Sequence, residues 1–315
     1  MALKAFKLSY LTLLHLVWPA IALSTSASCG QEQDAFTDLE YVNWQRAVDA
    51  YDKGFGGLTS QAVPVLLDRA GFHEGGGRLL DVACGPGQVL DDAIAMTGSS
   101  STYDGGAWSY AALDFSPNFL RLAQERLSNK YPATPVTFAA GDAQALPLGA
   151  AAFDAVTSNF GILHLSDPDA FLAESYRVLK PGGRLAFSAW APPPATEGFD
   201  LILGAVNAAG NPNVPLPAGP PFFQYADPAT VRQALAKAGF VDVDVTTVDW
   251  MEWHVDSADE LYEIFLEGTA RTRELLRGQT ETEAEAVREE LRRRFGERRR
   301  ALRMPAVVSS GQKPL

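Results

Sequence analysis

One short stretch limits this chain's choices more than any other. Leu79-Leu80-Asp81-Val82-Ala83, apolar but for one acid, runs directly into Cys84-Gly85-Pro86-Gly87. A brief apolar run bounded by glycines suits a strand buried on both faces, as in a parallel sheet. The Gly-x-Gly bend lets the backbone turn sharply and approach a ligand with no Cβ in the way. Gln88 to Met96 then reads as a helix, and the first amides of a helix have no partner within it. Strand, glycine bend and helix in this order predict an α/β sheet with a site at the strand's carboxyl end.

The pattern repeats downstream. Further strands are expected over Tyr110–Leu113, Val136–Ala139, Phe153–Thr157 and Arg184–Ala189, the last following the turn Pro181-Gly182-Gly183. A sixth is expected where Val241, Val243 and Val245 alternate with Asp242 and Asp244. Helices are expected over Asn118–Leu127, Pro168–Leu179 and Thr230–Gly239. Repeated β-α units of this size predict a parallel sheet with helices on both faces. Upstream, Tyr41, Trp44, Val48 and Tyr51 recur at helical spacing within Ala35–Gly71, Gly54 to Gly57 break the pattern, and a second helix carries Pro64. Gly98 to Trp108 is polar and reads as an inserted loop. Ala191 to Pro228 holds many prolines with Phe222, Phe223 and Tyr225, and reads as an insertion packed over something, since Phe-rich loops rarely stay in water. A mostly helical stretch from Ala258 to about Arg300, with breaks at Gly268 and Gly278, precedes a final strand at Pro305–Ser309. The chain therefore divides into 1–28, a helical lid at 29–75, a sheet core at 76–190, the insertion at 191–228 and the completion of the sheet at 229–315.

Charge narrows the partners. The net charge of -12 over 315 residues repels phosphate backbones, so nucleic acid is not expected. Arg292 to Arg300 is either a basic patch or, by its Glu289–Arg293 and Glu290–Arg294 spacing, an ordinary solvated helix face. Two cysteines, Cys29 and Cys84, build no disulfide framework, and Cys84 fits the bend as a small packing residue. The four histidines lack ligand spacing, so no metal is expected. The first 28 residues pair Lys4 and Lys7 with an apolar run from Leu8 to Leu23, interrupted by His15 and Pro19 and shorter than the roughly 20 residues a bilayer needs. They resemble a secretory signal peptide; an organelle transit segment and an uncleaved membrane-leaning helix are the alternatives, and they leave the compartment open between secretory pathway, cytoplasm and mitochondrion.

Three acids sit at successive strand ends. Asp81 lies by the glycine bend, Asp114 ends the second strand in Leu113-Asp114-Phe115-Ser116, and Asp142 follows the third in Gly141-Asp142-Ala143. A carboxylate at the second position can accept both hydroxyls of a ribose, and one at the third can accept an adenine amino group. Each has a structural rival: Asp81 as a turn cap, Asp114 as the N-cap of the helix at Pro117, Asp142 as a turn residue. A dinucleotide is disfavoured, because the third glycine of the pyrophosphate fingerprint is replaced by Leu90. Asp81 suits a ligand with a cationic amino acid end instead.

Four segments, in order, resemble the class I S-adenosylmethionine methyltransferases, especially the branch similar to ubiquinone and menaquinone C-methyltransferases. They are Leu80–Gly87, Leu113–Ser116, Gly141–Ala143 and Arg177–Leu185, the last with Leu179-Lys180-Pro181-Gly182-Gly183 at its centre. The resemblance covers roughly residues 40 to 190 and is one of layout only from 228 onward. It implies a Rossmann-like seven-stranded, mostly parallel sheet with helices on both faces, a helical N-terminal extension, and a last strand antiparallel between the fifth and sixth. It implies S-adenosylmethionine as cofactor, with Asp81, Ala83, Gly85 and Gly87 around the methionine and ribose, Asp114 on the ribose, and Phe115 packed on adenine. Asp142 and the Ala143 amide would read the adenine edge, and Asn159 after the fourth strand completes the set. The interval from Asp81 to Asp114 is longer than the family usually shows, and the loop Ser99–Trp108 absorbs the excess.

Methyl transfer needs alignment of the acceptor and exclusion of water, plus a base if the acceptor is a weakly acidic carbon or hydroxyl. His164, in Ser158-Asn159-Phe160-Gly161-Ile162-Leu163-His164, is the expected base, against the reading of an ordinary polar histidine. Tyr51, with Tyr41 and Trp44, and Phe222, Phe223 and Tyr225 would form an apolar lid on the substrate side, or simply core. The expected partner is a small, apolar or aromatic methyl acceptor. A nicotinamide-dependent oxidoreductase and a non-catalytic binding protein on the same sheet remain the alternatives, and the oligomeric state is not legible.

Overall fold

In the computed structural model the described residues are 35–72, 76–97, 107–296 and 300–315. The leader-like segment 1–28, Cys29 and most of the polar loop after Gly98 lie outside them. Among the described residues no helix is long and apolar enough to cross a membrane.

Seven strands form the main sheet: β1 (Gly77–Val82), β2 (Trp108–Asp114), β3 (Val136–Ala140), β4 (Phe153–Ser158), β5 (Leu179–Trp190), β6 (Val241–Val248) and, last in the chain, β9 (Ala306–Gln312). Their order is β3-β2-β1-β4-β5-β9-β6, with β9 antiparallel to both neighbours and all other pairings parallel. The expected position and direction of the last strand hold, and it runs three residues past the expected Ser309, to Gln312. β1, β4 and β5 are buried almost throughout, as strands covered on both faces must be.

Helices α3 (Val63–Arg69), α4 (Gln88–Thr97) and α5 (Pro117–Lys130) pack side by side along one face, while α6 (Pro168–Val178) and α8 (Pro228–Lys237) pack together against β5 and β6. Ser116, not Asp114, caps α5: its hydroxyl accepts from the Phe119 amide, and Pro117 supplies the fixed φ favoured at a first turn. α6 ends at Val178, one residue before the expected boundary, because Leu179 already pairs with Phe153. The Pro181-Gly182-Gly183 segment is thereby absorbed as an irregularity inside β5 rather than preceding it, with Gly182 at φ +80.

A second layer lies over the carboxyl ends of the strands. It comprises α1 (Ala35–Gly54), the short α2 (Gly56–Thr59), α7 (Glu197–Ala209), α9 (Ala258–Gly268), α10 (Arg271–Arg277) and α11 (Glu281–Phe295). α7 arises inside the Pro-rich insertion, which is therefore not all loop. Gly268 and Gly278 do punctuate the C-terminal helices. A two-stranded antiparallel pair, β7 (Glu252–Val255) with β8 (Arg300–Arg303), was not expected. Arg292, Arg293 and Arg294 bind Asp259, Glu285 and Glu290, so these three arginines are ion-paired rather than a free basic patch; Arg293 takes Glu290 rather than Glu289.

Candidate active site

Parallel pairing in register sets the strand tips level. Val82 pairs with Leu113, and Leu113 with Ala139, so Ala83, Asp114 and Asp142 emerge just beyond one edge of the sheet. The long interval before Asp114 does not disturb its register.

The bend after β1 is drawn tight. Ala83 and Gly85 both adopt positive φ, +55 and +52, which costs a non-glycine residue of order 1 kcal/mol. A Cβ built on Gly85 would meet nothing within 4 Å, so the bend opens onto free space rather than protein. Gly87, at φ +84, faces the other way: a Cβ there would lie 3.0 Å from that of Ala123 in α5. Gly87 therefore lets α4 and α5 approach each other, and it does not line the cavity.

Asp114 holds the bend with its side chain. Its Oδ2 accepts from the Gly85 amide at 2.8 Å and its Oδ1 from the Ser116 amide at 2.8 Å. Burial pushes its pKa up to about 6 against the lowering effect of these amides. Asp142 accepts from the Gln144 amide at 2.8 Å in the manner of a turn residue, and it also faces the cavity. Its partner Gln144 is fixed through Ser166 to Thr37 of α1.

Asp81 does not face the cavity. It is fully buried beneath the bend, its Oδ1 accepts from the Thr157 hydroxyl at 2.9 Å, and its Oδ2 has no partner among the described residues. Burial, relieved only partly by Thr157, pushes its pKa up to about 8. The folded protein thus keeps a proton here that the unfolded chain releases near pH 3.8. This raised pKa contributes stability that is complete below pH 3.8 and is lost as pH rises toward 8. Asp81→Asn should therefore flatten the fall in stability between pH 6.5 and 7.5 by about 1.4 kcal/mol, read from urea unfolding at the two pH values.

Above these groups lies a cavity of about 450 Å³. Its lining includes Ala83, Gly85, Asp114, Phe115, Asp142, Ala143 and Asn159. It also includes the aromatic residues Trp44, Tyr51, Phe160, Phe199, Phe222 and Phe223. Phe199, Phe222 and Phe223 pack on one another with centroids 4.9–5.6 Å apart. Tyr51, raised to about 12 by burial, stands edge-on to Trp44. Tyr225 is not part of the wall: it is buried against Phe187 of β5, on the sheet side. Cys84 is buried, and burial pushes its thiol well up, away from the thiolate a nucleophile requires.

Asn159 and His164 are set by the turn after β4. Asn159 donates to the Thr59 carbonyl at 3.0 Å and accepts from Ser188 at 2.7 Å. Phe160 follows in the left-handed region at φ +58 and stacks on Trp190, which starts the 3-10 turn Gly161–His164. His164 lines the cavity between the edge of Trp44 and Phe222. Its Nδ1 lies 3.0 Å from Oε2 of Glu40, and Trp44 Nε1 donates to the same oxygen at 2.8 Å. Sequence reasoning missed Glu40. The available signal is its place on the inward stripe of α1, between Phe36 and Trp44, where a charged residue is almost never buried unless paired.

The chain resembles known proteins in the same region. A family described as a methyltransferase domain matches residues 80–187. A demethylmenaquinone methyltransferase of Renibacterium salmoninarum is 33% identical over 168 residues, covering 50% of this chain and 68% of that protein. An erythromycin 3''-O-methyltransferase of Saccharopolyspora erythraea is 30% identical over 241 residues, 74% of each chain. Among solved structures, the [4+2]-cyclase SpnF superposes with TM-score 0.52 at 21% identity over 81% of each chain. Phosphoethanolamine N-methyltransferase 2 of Haemonchus contortus, solved with S-adenosyl-L-methionine, gives TM-score 0.51 at 20% identity over 89% of this chain and 60% of that one. At such identities the structures speak to fold alone, and a cyclase among them illustrates that fold does not fix the reaction.

Proposed function

We propose, from the premise that this chain belongs to the class I S-adenosylmethionine-dependent methyltransferases, that it methylates a small apolar or aromatic molecule. One observation carries this reading: a single cavity joins the acid-bearing strand ends to an aromatic-walled chamber. S-adenosylmethionine supplies an electrophilic methyl on a cationic sulfur. The residues fit it, because open space lies over Gly85 and because Asp114 keeps acceptor lone pairs on both oxygens after its two amide contacts.

In this reading Asp114 accepts the ribose hydroxyls, Phe115 packs on adenine, and Asp142 with the Ala143 amide meets the adenine edge. Ala83, Gly85 and Asn159 border the methionine, and Asp81, protonated in the free protein, acts from beneath the bend by giving up its proton when a cationic amino acid lies above it. Gly87 contributes through the packing of α4. The acceptor lies against Tyr51, Phe222 and Phe223, with His164 as its base. The nicotinamide alternative is not retained, since Leu90 at the third-glycine position is a fully buried core residue.

The test supplies the full chain with methyl-¹³C-labelled S-adenosylmethionine and a host-cell extract, then divides the products between organic and aqueous phases. Label in the organic phase is expected, and label confined to protein or aqueous solutes would overturn the apolar acceptor. Phe223→Ser should raise the acceptor's KM by about tenfold or more, the scale of one aromatic burial, while cofactor affinity stays as in the parent.

A further inference from the structure

We infer that Glu40 is a positioning residue that holds His164 as the Nδ1–H tautomer, leaving Nε2 to take the proton of an acceptor hydroxyl. The inference deepens the reading above and rests on it for the identity of the cofactor. It names a residue outside every sequence motif and narrows the acceptor to one bearing a hydroxyl.

The geometry starts with a charge in an unusual place. Glu40 is fully buried in α1, and a buried carboxylate persists only where donors compensate it. Trp44 Nε1 is a donor only, so its 2.8 Å contact fixes Oε2 as an acceptor. The same oxygen lies 3.0 Å from His164 Nδ1. An ionised carboxylate has no hydrogen to give, so it requires one on Nδ1, and in a neutral ring the lone pair then sits on Nε2. No described residue makes a hydrogen bond to Nε2, while the ring borders the cavity. Trp44 and Phe222 stand edgewise against the imidazole at 4.8 and 5.9 Å, so the ring is held in place as well as in tautomer.

The other carboxylate oxygen, Oε1, is buried with no partner among the described residues. Glu40 therefore has fewer donors than a buried carboxylate ordinarily collects. An imidazolium formed at His164 would supply the missing compensation at 3.0 Å. That is the arrangement a general base needs, because the charge it gains is met by a partner already in place.

This machinery suits an acceptor that must lose a proton as it reacts, here a hydroxyl rather than a weakly acidic carbon. An amine attacks with a lone pair of its own, and a thiol ionises readily near neutral pH. A neutral hydroxyl needs its proton removed as the new bond forms. In the balanced step the hydroxyl oxygen bonds to the methyl carbon, the carbon–sulfur bond breaks with its pair left on sulfur, and the hydroxyl proton passes to Nε2. The proton leaves to solvent after the methyl ether departs.

Two measurements test this. The first is the side-chain ¹⁵N spectrum of the full chain, with His164 assigned by comparison with His164→Gln among only four histidines. A protonated Nδ1 and a bare Nε2 are expected. In Glu40→Gln the amide oxygen takes the place of Oε2 and still accepts from both Trp44 Nε1 and Nδ1, so the tautomer should persist. The negative charge that meets the imidazolium is lost, and the rate of methyl transfer should fall by about tenfold or more. Calorimetric affinity for S-adenosylmethionine should not change. A hydrogen on Nε2 in the parent protein, or a parental rate of methyl transfer in Glu40→Gln, would overturn the proposal. If Glu40→Gln does not fold, the parent spectrum decides alone. The second reads the carbon signal of the labelled methyl in the organic product. A methoxyl signal is expected, and an N-methyl or C-methyl signal overturns the hydroxyl acceptor without touching the assignment of the cofactor.

Discussion

Exchange of His164 for asparagine will lower the rate of methyl transfer by about 10²–10⁴-fold, the contribution of a positioned general base, and leave cofactor affinity nearly unchanged. The separation follows from where the ring lies. His164 is bordered by Trp44 and Phe222 and bonded to Glu40, and no hydrogen bond joins it to Asp114 or Asp142 among the described residues. Loss of the imidazole therefore removes a proton acceptor without removing a contact to the nucleoside. Single-turnover rates under saturating cofactor isolate the chemical step, because an interaction made only in the transition state lowers kcat and kcat/KM together. Turnover equal to that of the parent would return His164 to the role of an ordinary polar histidine.

What the sequence disclosed, and what it withheld, follows the range of the forces involved. β1, its bend and α4 are dictated by neighbours in the chain: apolar side chains, then residues able to take positive φ, then a helix start. The same holds for each strand-end acid, since a parallel strand delivers its last residue to one edge of the sheet. The β7–β8 pair was invisible because its partners, Glu252–Val255 and Arg300–Arg303, are four residues each and joined only through three intervening helices. Glu40 was invisible for another reason. On a helix face it reads as solvated, and only packing of α1 against the turn after β4 supplies the His164 partner that makes its burial tolerable. Tyr225 shows the converse error. Its neighbours Phe222 and Phe223 turn into the cavity, but the 3-10 turn Gln224–Ala226 rotates it onto Phe187. Sequence adjacency to two lining residues carried no information about its direction.

Asp114→Ala will weaken S-adenosylmethionine binding by roughly 1.5–3 kcal/mol, or about 10- to 150-fold, the cost of hydrogen bonds to a charged group. Three effects converge on this side chain. It is buried at the cavity wall, so water does not replace what it offers the ribose. It accepts from the Gly85 and Ser116 amides, so its loss also frees the bend and strands two backbone donors. Asp114→Asn should do no better, because an amide nitrogen placed toward either of those amides sets donor against donor. The pH dependence separates this from a general loss of structure. Burial holds Asp114 protonated up to about pH 6, and a cationic ligand favours its ionised form. Binding in the parent should therefore release a proton below pH 6 and weaken by up to about tenfold per pH unit there. Asp81, raised to about 8, adds a second dependence below about pH 8, and Tyr51, raised to about 12, adds none in that range. In Asp114→Ala the slope below pH 6 should lose the share due to Asp114, while the slope between pH 6 and 8 persists. Calorimetry at pH 5, 6.5 and 8 reads both, and a mutant with parental affinity and parental pH profile would remove Asp114 from the nucleoside site.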